Sequence, residues 1–297
     1  MTADLHFGPN VASDILPLFS RTGDWMFASA KVNTVQFYIQ NILADEPGQM
    51  GVGPNTYPAL VEVDAFRTIN QSLGNISIEA GAVKAWSLDG RDALNGCRMA
   101  IERVEAAGGK VAAFALDEPK GAQRVCHLSN QHVVDGTCRV IDGIRELGSD
   151  AGLIEPYPYV PMPDLVTFFE ALQRGGSSPA FWHLDVDRFG IRDQKISRER
   201  FAADLQWAQR QCRAWGIPFG VIVFGQRATT AAAYVQSALA WANDLRLLMG
   251  EWPDRIIVQS WERAAGGALT LPHNLPESDS TSHTALLNAV AQMVGRD

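Results

Sequence analysis

Four short apolar runs in this chain end in acids. Lys110-Val-Ala-Ala-Phe-Ala-Leu116 is closed by Asp117-Glu118-Pro119, and Gly152-Leu-Ile by Glu155-Pro156. Phe181-Trp-His-Leu is closed by Asp185-Val-Asp187, and Arg255-Ile-Ile-Val-Gln-Ser-Trp by Glu262. Runs of this length and composition read as buried strands, which gathers the carboxylates at strand ends. Like charges along one sheet edge repel and resist desolvation, so a cation, a proton or a hydroxyl-rich ligand is needed to offset them. Two carboxyls in one partly dry cleft can also divide a reaction between them. One stays protonated and donates, while the other stays ionised and attacks a carbon or activates water.

Each acid has a competing reading. Asp117 suits a salt bridge or a helix cap. Glu118 and Glu155 each directly precede a turn-starting proline, as a surface loop acid would. Asp185 and Asp187 have Arg188 and Arg192 close in sequence, and Glu262 has Arg263 or Arg255. Glu79 reads equally as a buried acid bonded to a lumen neighbour, and His183 as an orienting or core histidine. Other nucleophiles are poorly served: Ser72, Ser149 and Ser260 lack the glycine flanks of a nucleophile elbow, and no Cys-His or Ser-His-Asp set assembles.

The elements that must position these acids alternate regularly. Strands are expected at Leu5–Asn10, Thr34–Gln40, Ile76–Gly81, Lys110–Leu116, Gly152–Glu155, Phe181–Asp187, Pro218–Phe224 and Arg255–Ser260. Between and after them come helical stretches: Ala12–Val32, Ala59–Leu73, Leu94–Ala107, Ser129–Leu147, Pro163–Arg174, Ser197–Trp215, Thr229–Met249 and Thr284–Val294. Ser129 is a natural N-cap, and Gly148 and Gly216 natural stops. Eight strand-helix units with no linker or low-complexity tract predict an α/β fold, a (β/α)8 TIM barrel forming one domain over residues 1–297. The rival open doubly wound sheet would carry a glycine-rich phosphate loop after the first strand, where this chain reads Gly8-Pro9-Asn10.

Strand alternation sorts side chains between lumen and helix layer. On the sixth strand Trp182, Leu184 and Val186 suit the helices, leaving His183, Asp185 and Asp187 for the lumen. Gln36, Tyr38 and Gln40 share one parity on the second strand, Ser77 and Glu79 on the third, and His6 and Asn10 on the first. Barrel interiors are normally filled by branched apolar residues, so this polar set predicts a wet cleft at the C-terminal face. Tyr157, Gln226, Gln259, Trp261 and Glu262 complete the candidate binding residues, with Trp261, Tyr38, Tyr157 and Phe224 as flat faces for a sugar ring.

Composition narrows the partners. A net charge of −8 offers no basic patch for nucleic acid or an anionic membrane surface. No secretory signal or membrane span is legible, which predicts a soluble, cytoplasmic protein unless a signal has been removed. The four cysteines lack metal-site spacing and read as buried free thiols. No metal or other cofactor is expected.

The chain resembles the (β/α)8 glycoside hydrolases. In the large clan of retaining β-glycosidases the acid/base Glu ends strand four within Asn-Glu-Pro; here the matching place reads Asp117-Glu118-Pro119, with Asp in place of Asn. Trp261 matches a tryptophan typical of the end of strand eight. The resemblance implies that Glu118 is the proton donor and that the partner is an oligosaccharide or polysaccharide. That clan's nucleophile is a Glu ending strand seven, whereas strand seven here ends Val221-Ile-Val-Phe-Gly-Gln226. Other sugar-cleaving barrels pair strand four with strand five or six, so Glu118 pairs with Glu155 or Asp185. A carboxyl separation near 5 Å would imply retention, and one of roughly 6.5 to 9.5 Å inversion. Two alternatives stay open. One is a divalent-metal sugar isomerase or epimerase of the xylose-isomerase type, loosely similar at Glu155, His183, Asp185 and Glu262 but lacking a His on strand seven. The other is a non-catalytic carbohydrate-binding barrel.

Overall fold

The structure, a computed structural model describing residues 3–261 and 271–295, contains eight parallel strands closed into a barrel in chain order. They are β1 (Asp4–Gly8), β2 (Thr34–Tyr38), β3 (Asn75–Gly81), β4 (Val111–Asp117), β5 (Asp150–Tyr157), β6 (Trp182–Val186), β7 (Phe219–Val223) and β8 (Arg255–Gln259). The (β/α)8 expectation therefore holds. Among the described residues no helix is long and apolar enough to cross a membrane.

Long helices form where the sequence supplies periodicity and caps. Ser129, Ser197, Thr230 and Ser282 each accept an N–H from the residue three positions on, starting Asn130–Glu146, Arg198–Trp215, Ala231–Met249 and His283–Met293. Each such cap is worth about 1 kcal/mol. Gly216 ends Arg198–Trp215 at φ +71, where a side chain would be strained.

Two expected helices are broken. Ala12–Val32 resolves into Pro17–Ser20, a 3-10 turn at Thr22–Trp25, and Met26–Ser29. The Trp25 indole is drawn inward to donate to Leu18 O at 2.8 Å, which takes its backbone out of helical geometry. The Glu277 carboxylate then accepts from the N–H groups of Phe27 and Ala28. Ala59–Leu73 breaks at Asp64, which adopts φ +53 between Tyr57–Glu62 and Ala65–Thr68; Asp tolerates this conformation better than most residues. The second strand stops at Tyr38, and Gln40 lies in the helix Ile39–Leu43 rather than on the barrel wall.

By internal contacts the chain divides into two compact units. Residues 1–77, 102–111 and 222–297 make one, and 78–101 with 112–221 the other. The first unit has a core that includes Phe7, Trp25, Phe37, Phe66, Tyr234 and Trp241, all buried. In the second unit Trp182 packs between Phe169 and Trp215, at centroid distances of 4.6 and 6.5 Å, with Phe219 edge-on at 5.8 Å. Each large apolar side chain buried in this way contributes about 1.5–3 kcal/mol. These contacts also fix the alternation of β6: Trp182 faces the helices Met162–Arg174 and Arg198–Trp215, so His183 and Asp185 do not.

Candidate active site

The acids of β4, β5 and β6 all lie within the second unit. Register sorts them. Asp117 pairs with Ile154, and Ile154 with His183, while Pro156 pairs with Asp185. Paired residues on neighbouring parallel strands share a face, so Asp117, His183 and Asp185 lie on the lumen side. Glu155 pairs with Leu184 and belongs to the opposite face. Tyr157, two residues further on, confirms that direction. It stacks on Phe201 at 5.6 Å and donates to Asp204 Oδ2 at 2.9 Å, both from the helix Arg198–Trp215.

Asp185 is the most perturbed lumen acid. Its Oδ1 is shut off from solvent and has no hydrogen-bond partner. Burial holds its carboxyl well above the usual carboxylate range, and the charges of Glu118, Asp117 and Asp187 add to the effect. Asp117 is half-buried and is met by the Lys84 ammonium, Nζ to Oδ2 2.7 Å. This is the salt bridge that the sequence offered as the rival reading of Asp117. The Lys84 amine is held above its ordinary value: burial opposes its charge, but Asp117, Glu118 and Glu155 together outweigh that penalty. Lys84 enters from the turn after β3, which is closed by reciprocal backbone bonds with Ser87.

Glu118 is set by a backbone kink. Its φ of +47 places a non-glycine residue in the left-handed region just where β4 gives way to the helix Pro119–Val125. The conformation costs on the order of 1 kcal/mol or more, and such outliers gather at functional sites. Its own N–H stays paired with Ile154 O at 2.8 Å. The kink swings the side chain over Gly121, where a Cβ would stand 3.3 Å from both Glu118 Cβ and Pro156 Cγ. Half-buried there, the carboxyl is raised by burial and by Asp117, and lowered by Lys84. It forms part of the wall of a cleft of about 730 Å³, together with Lys120, Arg124, Tyr159 and Asp164.

Glu155 plays a different part. It is fully buried, and Oε1 accepts from the backbone N–H of Lys120 at 2.8 Å, in the first turn of Pro119–Val125. Its Oε2 has no hydrogen-bond partner. Burial pushes this carboxyl well above its ordinary value; Glu118 adds to that, while the Lys120 and Gly121 N–H groups and Lys84 oppose it. The geometry makes it an anchor for the helix that follows Glu118, on the face away from Asp185.

Of the remaining second-unit candidates, Asp187 caps the helix Arg188–Asp193 by accepting from Phe189 and Gly190 N–H, and it also accepts from the Tyr159 hydroxyl. Glu79 is half-buried on β3, and His183 is buried with its ring 4.4 Å from Phe181. Tyr157, expected as a sugar face, is packed into the helix layer instead. The sequence reading missed Lys84 and Trp86. Trp86 is 58% exposed and lies back over Gly81, where a Cβ would approach its Cζ2 to 2.8 Å.

In the first unit, Gln36, Gln259 and Tyr38 form a chain. Gln36 donates to Gln259 at 3.1 Å, Gln259 donates to the Tyr38 hydroxyl, and that hydroxyl donates to Ser260 O. His6 is held neutral, its pKa lowered to about 3 by burial and by Arg255. Asn10 shapes a turn, accepting from Ala12 and Ser13. Gln226 is buried, its N–H on Ser237 Oγ, and Trp261 lies 4.2 Å from Phe224. Glu262 falls outside the described residues. None of the four cysteines forms a disulfide; Cys97 and Cys212 are buried, and Cys126 and Cys138 are half-buried.

No protein-family model matches this chain, and neither does any curated protein. Solved structures do match in fold. A glucosidase from Croceicoccus marinus aligns at TM-score 0.60 and 12% identity, over 99% of this chain and 68% of that one. A GH10 xylanase from Thermobacillus composti aligns at 0.53 and 10%, over 98% and 97%. A D-allulose 3-epimerase from Methylomonas sp. aligns at 0.53 and 12%, over 99% and 98%. Identities this low establish the barrel and leave the chemistry to the residues.

Proposed function

We propose that this protein is a glycoside hydrolase whose working carboxyls are Glu118 and Asp185. The observation that supports it is the asymmetry between two neighbouring acids at the ends of β4 and β6. Asp185 is half-buried, with Oδ1 shut off from solvent and unpartnered, and its carboxyl is held well above the usual range, whereas Glu118, also raised on balance, opens on a cleft and feels the lowering effect of the Lys84 cation. In this reading Asp185 holds the proton delivered to the departing glycosidic oxygen. Glu118, once ionised, attacks the anomeric carbon or activates the water that does. Lys84, fixed on Asp117, favours the ionised form of Glu118. Glu155 acts on the reaction only through the helix that it anchors. The glucosidase and xylanase among the structural relatives agree with an oligosaccharide or polysaccharide substrate.

Release of reducing sugar from a panel of oligosaccharides tests this assignment. Glu118→Gln and Asp185→Asn should each lower kcat/KM by about 10²- to 10⁴-fold, and the double variant should be little worse than the poorer single one, since the pair acts as a unit. Full activity in either single variant, or no hydrolysis of the panel by the parent, would overturn it.

The epimerase among the relatives supports a second reading, a divalent-metal sugar epimerase. Its donors would be Glu155, His183, Asp185 and Glu262, the last of which lies outside the described residues. Glu155 belongs to the other face of the wall from His183 and Asp185, and among the described residues no three His, Cys, Asp or Glu side chains are grouped to hold an ion. The three described donors do not fit such a site together. Epimerisation by the parent that EDTA abolishes and manganese restores would reinstate this reading over the hydrolase.

A further inference from the structure

The cleft beside Glu118 has an electrostatic character that general sugar cleavage does not require. One wall comes from the helix Pro119–Val125 and the turn after it, and carries Lys120, Arg124 and His127 in a single run of eight residues. Arg124 is exposed on this wall, and among the described residues it has neither an ion pair nor a hydrogen bond. The Lys120 ammonium is fixed but not neutralised at contact range. Gln123 Oε1 and Asn130 Oδ1, both neutral amide oxygens, accept from it at 2.5 and 2.7 Å, and its nitrogen lies 5.7 Å from the centre of the Phe168 ring. The cleft's acids are Glu118, already given a role, and Asp164, which acts on Lys120 from beyond ion-pair distance.

Lys120 and Arg124 line the same cleft, and among the described residues neither has a carboxylate at ion-pair distance. Glu118 and Asp164 balance them in formal charge over the cleft as a whole, but the two cations stand together on the Pro119–Val125 wall and offer their donors to a ligand there. A guanidinium with a free fork matches a planar carboxylate in two parallel hydrogen bonds, and an exposed imidazole adds a further donor. The sugar class that carries such a group is the uronic acids. Their carboxylate branches from the ring carbon that bears the hydroxymethyl group in a neutral hexose, so it lies on the same residue as the bond to be cut or on the next one.

Resting on the hydrolase reading, we infer that the cleft lined by Arg124, Lys120 and His127 is a subsite for a uronate residue, and that the substrate is an acidic oligosaccharide or polysaccharide. Arg124 takes the carboxylate, Lys120 supplies a fixed second charge, and Glu118 sits at the reacting end of the same cleft.

Calorimetric titration separates this inference from the hydrolase assignment because it needs no turnover. The probes are trisaccharides of galacturonate, glucuronate and mannuronate, each beside its carboxyl-reduced, neutral counterpart, titrated into folded Glu118→Gln and, independently, Asp185→Asn. At least one acidic probe should bind about tenfold or more tighter than its neutral form, with the advantage shrinking at high salt. Adding Arg124→Ala should erase the difference, and Arg124→Lys should restore part of it. Equal affinity of acidic and neutral forms, binding of neither, or an advantage that survives Arg124→Ala would overturn the subsite. Preference for the acidic form in a protein that hydrolyses nothing would support the subsite while sinking the hydrolase; hydrolysis without preference would do the reverse.

Discussion

Replacing Glu155 with glutamine tests the reading of this site most directly, because Glu155 was one of two possible partners for Glu118. In the structure it is fully buried, one oxygen accepting the Lys120 N–H and the other without a partner. Its folded-state pKa is raised well above 4.5, chiefly by burial. The sign follows from linkage. Below about pH 4.5 the folded and unfolded states both hold the proton, and the carboxyl's contribution to stability is fully present. Above that, the unfolded carboxyl ionises while the folded one does not, so stability falls by about 1.4 kcal/mol per pH unit until the folded-state pKa is passed. Glutamine does not titrate. It keeps the acceptor for Lys120 but places an amide N–H where Oε2 lacks a partner, a roughly constant cost of about 1–3 kcal/mol. Urea melts of parent and Glu155→Gln across pH 4 to 8 should therefore give a difference that tilts toward the variant by about 1.4 kcal/mol per unit, with a break at the folded-state pKa. Asp185 and Glu118 titrate in both proteins and largely cancel in the difference. Two parallel curves would refute the reasoning, since they would mean that the folded protein carries Glu155 ionised and hydrated.

Other perturbations give distinct readouts. Lys84→Met removes the cation that lowers the Glu118 pKa, so the acid limb of the activity profile should move to higher pH, and Lys84→Arg should largely return it. Trp86→Ala should weaken oligosaccharide binding by up to about tenfold if the exposed indole stacks on a sugar ring, with Trp86→Phe intermediate; quenching of tryptophan fluorescence on titration reads the same contact. Tyr157→Phe strips the buried bond to Asp204 and should lower unfolding free energy by about 1–3 kcal/mol without changing sugar affinity, as expected of a packing residue.

The barrel was legible because strand length, helix caps and glycine stops all agreed at Ser129, Ser197 and Gly216. Strand parity also carried the assignment on β6, where three large apolar residues alternate cleanly with His183 and Asp185. It failed to orient Glu155. The run Gly152-Leu-Ile-Glu155 is too short and too apolar on both parities to show an alternation, and the register against β6 with the contacts of Tyr157 to Phe201 and Asp204 reveals the outward face. Asp117 and Glu118 could not be separated by alternation, because the left-handed turn at Glu118 breaks it. A signal for the helix Pro119–Val125 was present, since proline at a first helical position starts helices well. Seven residues, however, are too few to show a period. Lys84 could have been sought on charge grounds: clustered acids need a cation, and Lys84 is one of the few lysines close to a strand end. Trp86 carries no pattern at all, and its place beside Gly81 emerges only from the folded turn.

The kink at Glu118 has a consequence for how this protein could diversify. Glu118, proposed as a working carboxyl, and the three residues of the proposed uronate subsite, Lys120, Arg124 and His127, belong to one continuous stretch of ten residues starting at the end of β4. That stretch is anchored by Glu155, whose Oε1 accepts from the Lys120 N–H and which belongs to the other face of the barrel wall from Asp185. Exchange of the outward positions would change which sugar is accepted while the joint, the anchor and the barrel keep the reacting carboxyl where it is. On this proposal the segment from 118 to 127 would serve as a specificity cassette, and swapping it between barrels of this kind should transfer preference without transferring fold.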